Sequence, residues 1–192
     1  MQVIVKTCSG ISLVPLESRL LSERKIFIQG EITEETACSF EQKIIYLLTE
    51  DPDKRIDVYI DSPGGSVSAG LHIYDTIKSL HTETNMWCRG TAASMGAIIL
   101  AGGQKGRRFI LPHAKVMIHE PLVSGGVGGC AASIQRTAES IMETKRITIE
   151  LLAADTGKRK TEIEKAISFD NYMNAREAVS FGICDKVVSG VM

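Results

Sequence analysis

Apolar positions between residues 25 and 119 follow two alternating spacings. Short, nearly continuous apolar runs are typical of buried strands, and they occur at residues 25–28, 56–60, 85–88, 108–111 and 115–119. Between these runs, apolar residues recur at the three- and four-residue intervals of a helix. The two clearest stripes are Phe40, Ile44, Leu47 and Leu48, and then Val67, Leu71, Tyr74 and Ile77. This alternation of strand and helix predicts an α/β fold with a mainly parallel sheet.

Turn and cap residues set the expected ends of these elements. The first strand is predicted to end at Gly30, and Thr33 is a suitable N-cap for a helix that Asp51-Pro52 terminates. Ser62-Pro63-Gly64-Gly65 is predicted to form a turn, and Gly102-Gly103 closes a short apolar helix. Residues 1–15 show no clear periodicity, so a loose arm is expected there.

One long helix is predicted in the second half of the chain, after a glycine-rich run at residues 124–129. Lys145 interrupts its apolar stripe, so the helix is not expected to be buried along its full length, and Gly157 is a natural stop. The stripe positions are Ile134, Ala138, Ile141, Lys145, Ile149 and Leu152.

Two short helices and a strand are predicted to follow. A capping box at residues 161–164 opens the first helix, and a second box at residues 174–177 opens another that Gly182 ends. Residues 183–188 are predicted to form the final strand.

Length and composition exclude several classes of function. The 192 residues fit a single domain, with 44% hydrophobic and 23% charged residues. A net charge of -1 gives no reason to expect nucleic acid or an acidic membrane as a partner. The five cysteines are odd in number and lack metal-ligand spacing, which predicts reduced thiols and a cytoplasmic protein. No apolar segment is long enough for a signal peptide core or a membrane span. The sequence contains no GxxxxGK motif, so this chain is not expected to hydrolyse ATP.

Ser94 is a candidate nucleophile. It lies between two apolar segments, with small residues on both sides, where a strand is predicted to turn sharply into a helix. Such a turn pushes the hydroxyl outward, and the backbone N–H groups that follow point at whatever it attacks.

A nucleophilic serine needs a base and a group that orients the base. Among the four histidines, His119 is the best candidate, because it ends a predicted strand, as does the segment leading into Ser94. A packed or surface histidine is the competing interpretation. Three aspartates follow His119 in the chain, Asp155, Asp170 and Asp185, and spacing alone does not choose among them.

Two glycine-rich segments each have two interpretations. Gly64 and Gly65 either end a strand in a plain turn or let the backbone approach a substrate and aim an N–H at an oxyanion. The run at residues 124–129 is either a flexible loop or an edge that pairs with an extended peptide.

The motifs around these residues resemble the ClpP family, the proteolytic subunits of the Clp protease. The resemblance spans nearly the whole chain after Leu20. Its motifs are YIDSPGG (59–65), GLHIYD (70–75), GTAASMGA (90–97), RRFILP (107–112), MIHEPL (117–122) and DNYMNA (170–175).

The resemblance implies a catalytic triad of Ser94, His119 and Asp170, with Gly65 and Met95 as the oxyanion-hole donors. It also implies one crotonase-like domain over residues 1–192, with residues 1–20 as an axial arm and residues 123–157 as a protruding handle. Two stacked heptameric rings would enclose a chamber in which unfolded polypeptides are cut. The partner would be an AAA+ ATPase that uses the ATP, and this chain would need no cofactor or metal.

Several residues depart from the family pattern. Ser168-Phe169 stands where an Asp-Arg pair is usual, and Glu120 stands where glutamine is common. Residues 121–131 form a longer and more glycine-rich segment, and Asp57 and Ser79 replace aromatic residues of the ATPase-docking pocket. These departures predict a divergent second subunit that works beside a more typical one. An acyl-CoA hydratase or isomerase of the crotonase fold, and a non-catalytic ring subunit, are the alternatives.

Overall fold

The computed structural model describes residues 1–7, 10–123, 126 and 128–190. In this part of the chain the strands are β1 Gln2–Thr7, β2 Gly10–Pro15, β3 Lys25–Ile32, β4 Ile56–Gly65, β5 Thr84–Ala93, β6 Arg108–Ile110, β7 Lys115–Ile118, β8 Asn171–Asn174 and β9 Lys186–Val187. The helices are α1 Leu16–Ser22, α2 Glu34–Glu50, α3 Val67–Ser79, α4 Met95–Ala101, α5 Ala131–Thr156, α6 Lys160–Ile167 and α7 Ala175–Phe181. The predicted α/β fold is confirmed.

A seven-stranded sheet organises the molecule, with the parallel order β3-β4-β5-β6-β9. Strand β5 pairs with β6 and β7 in succession: residues 86–88 pair with β6, and residues 91–93 pair with β7. Strand β8 then pairs antiparallel with β7. The end of β5 therefore lies beside β7, and β7 lies beside β8.

Helix α4 anchors the centre of the sheet to the core. All seven of its residues are buried, so it is apolar on every side. Burial of this many apolar side chains fixes the helix firmly in place. The first turn of α4, which follows Ser94 directly, is therefore a rigid part of the fold.

The strands that lead to the candidate site are longer than predicted. Ser62-Pro63-Gly64-Gly65 was expected to be a turn, but these residues belong to β4, and β3 runs past Gly30 to Ile32. The pairing of β4 with both neighbours overrides the local turn preference, with register shifts on both sides. The Ser62 hydroxyl stabilises these irregularities, because it donates to the Gly30 carbonyl at 2.6 Å and accepts from the Gly64 N–H at 3.1 Å.

The expected loose arm at residues 1–15 is wrong. Strands β1 and β2 form an antiparallel hairpin whose register runs from Gln2 opposite Pro15 to Thr7 opposite Gly10. Ladder hydrogen bonds, which sequence periodicity does not reveal, order the segment. Helix α1, which was not predicted, follows directly.

The second half matches the prediction for α5 and α7 and differs elsewhere. Helix α5 ends at Gly157, which adopts the left-handed conformation expected of a C-terminal glycine. Helix α6 begins at Lys160, so Thr161 is inside the helix rather than its cap, and the Arg159 N–H donates to Glu162. Strand β8 was missed, and β9 has two residues rather than six. No helix in the described ranges is long and apolar enough to cross a membrane.

Candidate active site

Ser94 occupies a strained turn between β5 and α4. Its φ is +52° and its ψ is −121°. Among the described residues, Ser94 and Arg24 are the non-glycine residues with positive φ. Such backbone costs on the order of 1–3 kcal/mol and persists only where the surroundings enforce it. Here the Ser94 N–H donates to the Met117 carbonyl of β7 at 2.8 Å, which holds the turn in place.

His119 follows β7 and reaches the Ser94 hydroxyl. The parallel register places Ala93 of β5 opposite Met117 of β7, so the residues that follow each strand meet at the same sheet edge. The His119 Nε2 atom lies 2.9 Å from Ser94 Oγ. The imidazole is largely buried, with 16% of its side chain exposed. This distance lets the ring accept the hydroxyl proton.

Asp170 lies on the other side of the His119 ring. Its Oδ1 atom is 3.2 Å from His119 Nδ1. The sequence placed Asp170 between two short helices; in the structure it follows α6 and directly precedes β8. The pairing of Ile118 with Asn171 fixes one side of this contact. The Glu120 N–H, which donates to the Ile167 carbonyl at 2.8 Å, fixes the other side.

The other two candidate aspartates have different partners. Asp155 is buried, and it accepts hydrogen bonds from the Tyr74 hydroxyl at 2.9 Å and from Lys78 Nζ at 2.6 Å. Burial, with the Asp155 charge nearby, raises the pKa of Tyr74. Asp185 binds the Arg108 guanidinium. Of the three aspartates that spacing left open, Asp170 is therefore the one within hydrogen-bond distance of His119.

The two glycines of β4 contact different neighbours. A Cβ atom on Gly64 would lie 2.7 Å from Ser94 Cβ and 3.3 Å from the Met95 nitrogen, so Gly64 contacts the serine turn directly. A Cβ on Gly65 would instead collide with the backbone of Ile32 on β3. Of the expected oxyanion donors, Met95 directly follows Ser94 and Gly65 directly follows Gly64, and their role stays a prediction.

Two acidic residues near the site make contacts that the sequence analysis did not predict. Asp61 accepts from the Thr91 N–H at 2.8 Å, across the irregular part of the β4–β5 ladder that leads to Ser94. Glu120 forms an ion pair with Lys145 of α5 at 2.6 Å. Lys145 is a charged residue within an apolar stripe, and this was the feature of the sequence that could have indicated its ion pair with an acidic residue.

A groove runs beside the site, between α5 and the segment that follows His119. It has a volume of about 400 Å³, and its lining includes Val67, Leu122, Val123, Arg136 and Ile141. Ser124, Gly125 and Val127 lie outside the described residues, so the two interpretations of the glycine-rich run both remain open.

The chemistry available here is acyl transfer. In the described ranges no group of three or more histidine, cysteine, aspartate or glutamate side chains is arranged to hold a metal ion. Cys38, Cys88, Cys130 and Cys184 are free thiols, and Cys8 lies outside the described residues. Burial raises the pKa of the Cys88 thiol to about 12, so this cysteine is a poor nucleophile at neutral pH. Ser94, with a base in contact, is the better one.

Comparison with known proteins agrees with this geometry. A family model described as Clp protease matches residues 10–191. The chain is also 43% identical to the ATP-dependent Clp protease proteolytic subunit 2 of Chlamydia trachomatis serovar D. That match extends over 187 residues and covers 97% of this chain and 91% of the relative. Because both matches cover nearly the whole length, the chain belongs to the Clp protease family.

Proposed function

We propose that this chain is a serine endopeptidase in which Ser94, His119 and Asp170 form the catalytic triad. The observation that carries the proposal is the continuous hydrogen-bonded series from Asp170 Oδ1 through the His119 ring to Ser94 Oγ, at 3.2 and 2.9 Å. Membership of the Clp protease family makes the chain a proteolytic subunit, and peptide-bond cleavage is the activity that this geometry suits.

Each residue has a distinct role in the proposed reaction. His119 takes the Ser94 proton as the hydroxyl attacks a peptide carbonyl, and later gives that proton to the leaving amine. Asp170 holds the ring so that Nε2 faces the serine and stabilises the imidazolium that forms. The Gly65 and Met95 N–H groups stabilise the oxyanion. Water then hydrolyses the acyl-enzyme.

The substrate in this proposal is an unfolded polypeptide bound in an extended conformation. The groove beside the triad has an apolar lining from Val67, Leu122 and Ile141, which accepts a side chain next to the scissile bond. The relative's name describes an ATP-dependent protease, and we infer an ATPase partner that unfolds the substrate and delivers it. This chain would use neither ATP nor another cofactor.

We further infer that the subunits form heptameric rings, two of which stack around a closed chamber, alone or with a paralogous subunit. Exposed large apolar side chains are typical of surfaces that are covered in an assembly. In the described residues they include Ile45, Tyr46, Met142, Phe169 and Tyr172. The free thiols suit a cytoplasmic protein, where such a chamber would protect neighbouring proteins from cleavage.

Labelling with a fluorophosphonate tests the proposed function. The reagent should modify the wild-type chain at Ser94, and Ser94→Ala should abolish both labelling and the cleavage of fluorogenic peptides while leaving assembly unchanged. A chain that is not labelled would favour the non-catalytic ring subunit. Peptide cleavage that persists in Ser94→Ala would refute the nucleophile.

A further inference from the structure

The ion pair between Lys145 and Glu120 joins α5 to the residue that follows His119. Lys145 Nζ lies 2.6 Å from Glu120 Oε2. About a quarter of the Lys145 side chain and half of the Glu120 side chain are exposed. The hydrogen bond to the Glu120 carboxylate raises the pKa of Lys145, which favours the charged form of the ammonium. This contact explains why a lysine lies within the apolar stripe of α5.

Glu120 also belongs to the backbone frame that surrounds the His119–Asp170 contact. Its N–H donates to Ile167, three residues before Asp170, while Ile118 pairs with Asn171, the residue after Asp170. The frame ties β7, α6 and β8 together. The Glu120 side chain adds a contact with a fourth element, α5, through its ion pair with Lys145. Glu120 is the residue directly after His119.

We propose that the Lys145–Glu120 ion pair is a positioning contact that holds the His119–Asp170 segment in register with α5 for catalysis. The inference rests on the triad proposed above. A partly exposed ion pair contributes little to overall stability. The rate is more sensitive, because small displacements of a catalytic group lower it steeply. Loss of the pair should therefore reduce turnover without unfolding the protein.

The chain supplies a matched control. Lys160 Nζ lies 2.6 Å from Glu150 Oε1 and joins α6 to α5, with the same charges and the same separation. Neither residue contacts the segment that carries His119. Lys160→Met therefore removes an ion pair to α5 with the same charges and the same separation, without affecting the proposed positioning contact.

The test is the kcat and KM of the assembled protease for a fluorogenic peptide. Lys145→Met and Glu120→Gln should each lower kcat about two- to fivefold, the factor expected for a weak ion pair, with KM unchanged. Lys145→Arg should retain turnover, the exchange Glu120→Lys with Lys145→Glu should recover most of it, and Lys160→Met should match the wild type. The rate of fluorophosphonate labelling at Ser94 should change in parallel.

Three results would overturn the proposal: an unchanged kcat in Lys145→Met, an equal loss in Lys160→Met, or a charge exchange no more active than the single variants. If Lys145→Met does not assemble, the charge exchange decides, since the proposal requires it to be active. Labelling of the wild type separates this inference from the proposed function. An unlabelled wild type refutes the triad itself, whereas a labelled wild type leaves the variants to judge the ion pair.

Discussion

Gly64 packs against Ser94 so closely that a Cβ atom on Gly64 would lie 2.7 Å from the serine Cβ and 2.9 Å from the Ala93 carbonyl oxygen. Real Cβ atoms essentially never approach so near, and Gly64 also has a φ of +98°. The strained turn that presents the Ser94 hydroxyl is therefore built against a glycine on the neighbouring strand. Position 64 must lack a side chain for this turn to keep its geometry.

Gly64→Ala should consequently impair catalysis more than stability. The added methyl group must displace the Ser94 turn. A displacement of a catalytic group by about 1 Å costs on the order of a hundredfold in rate. Gly106→Ala is the control, because Gly106 has a φ of +83° with no atom within 4 Å of the added Cβ. Both variants carry backbone strain, but only Gly64→Ala should lose peptide turnover. Equal turnover in the two would contradict the role of the Gly64–Ser94 contact.

Asp170→Asn should lower kcat by roughly three to four powers of ten with little change in KM, because an amide favours the wrong tautomer of His119. Steady-state kinetics with a fluorogenic peptide measures this. Asp155→Asn serves as the comparison, since its carboxylate binds Tyr74 and Lys78 rather than His119. If Asp155→Asn abolished activity while Asp170→Asn kept it, the orienting acid would be misassigned.

Local signals predicted the elements that depend on local chemistry. The stripe through α5 and its stop at Gly157 follow from helix periodicity and from the conformational freedom of glycine. Residues 62–65 were misassigned because a Pro-Gly-Gly sequence favours a turn in isolation, whereas here pairing with β3 and β5 makes the segment part of β4. Strand β8 was missed because its four residues depend on pairing with β7.

Some residues of the candidate site were predictable from local sequence signals, and others depend on contacts between distant parts of the chain. Ser94 and His119 were found because each follows a predicted strand, and parallel strands end at a common edge. Spacing left three aspartates equivalent, since the contact between Asp170 and His119 depends on how α6 and β8 return to β7. The partner of Lys145 was equally hidden, because Glu120 lies 25 residues away in sequence.

Asp185 should make the stability of the fold depend on pH. Burial opposes its charge, but hydrogen bonds from the Arg108 guanidinium and backbone N–H prevail and lower the pKa of Asp185 below its usual value. Since the folded pKa is below the unfolded one, this stabilisation is present at neutral pH and is lost as the pH falls through the folded pKa. The Tm should therefore decline at strongly acidic pH.

Asp185→Asn is the corresponding variant. It leaves the Arg108 guanidinium, which is almost fully buried, without its counter-charge, and removing one partner of such a pair costs about 3–5 kcal/mol. Denaturant unfolding at neutral pH measures the loss, and the acid dependence should flatten in the variant. Asp170→Asn provides the contrast, because 64% of that side chain is exposed and its loss should scarcely change stability. Unchanged stability in Asp185→Asn would refute this account of the buried pair.

The contact between the two proposed rings should be weak and insensitive to salt. Ser168 and Phe169 stand just before Asp170, where the resemblance implies an Asp-Arg pair, and neither can form that ion pair. Phe169 is 62% exposed and offers an apolar contact, which salt does not screen, whereas an exposed ion pair weakens as salt is added. The extra glycine at residues 124–129 adds to the entropy lost on ordering.

Sedimentation of the purified chain across a salt series should show weak stacking that added salt does not disrupt, with low peptidase activity for the homomer. A double ring that is stable at low salt and separates into single rings at high salt would show that an ion pair holds the contact after all.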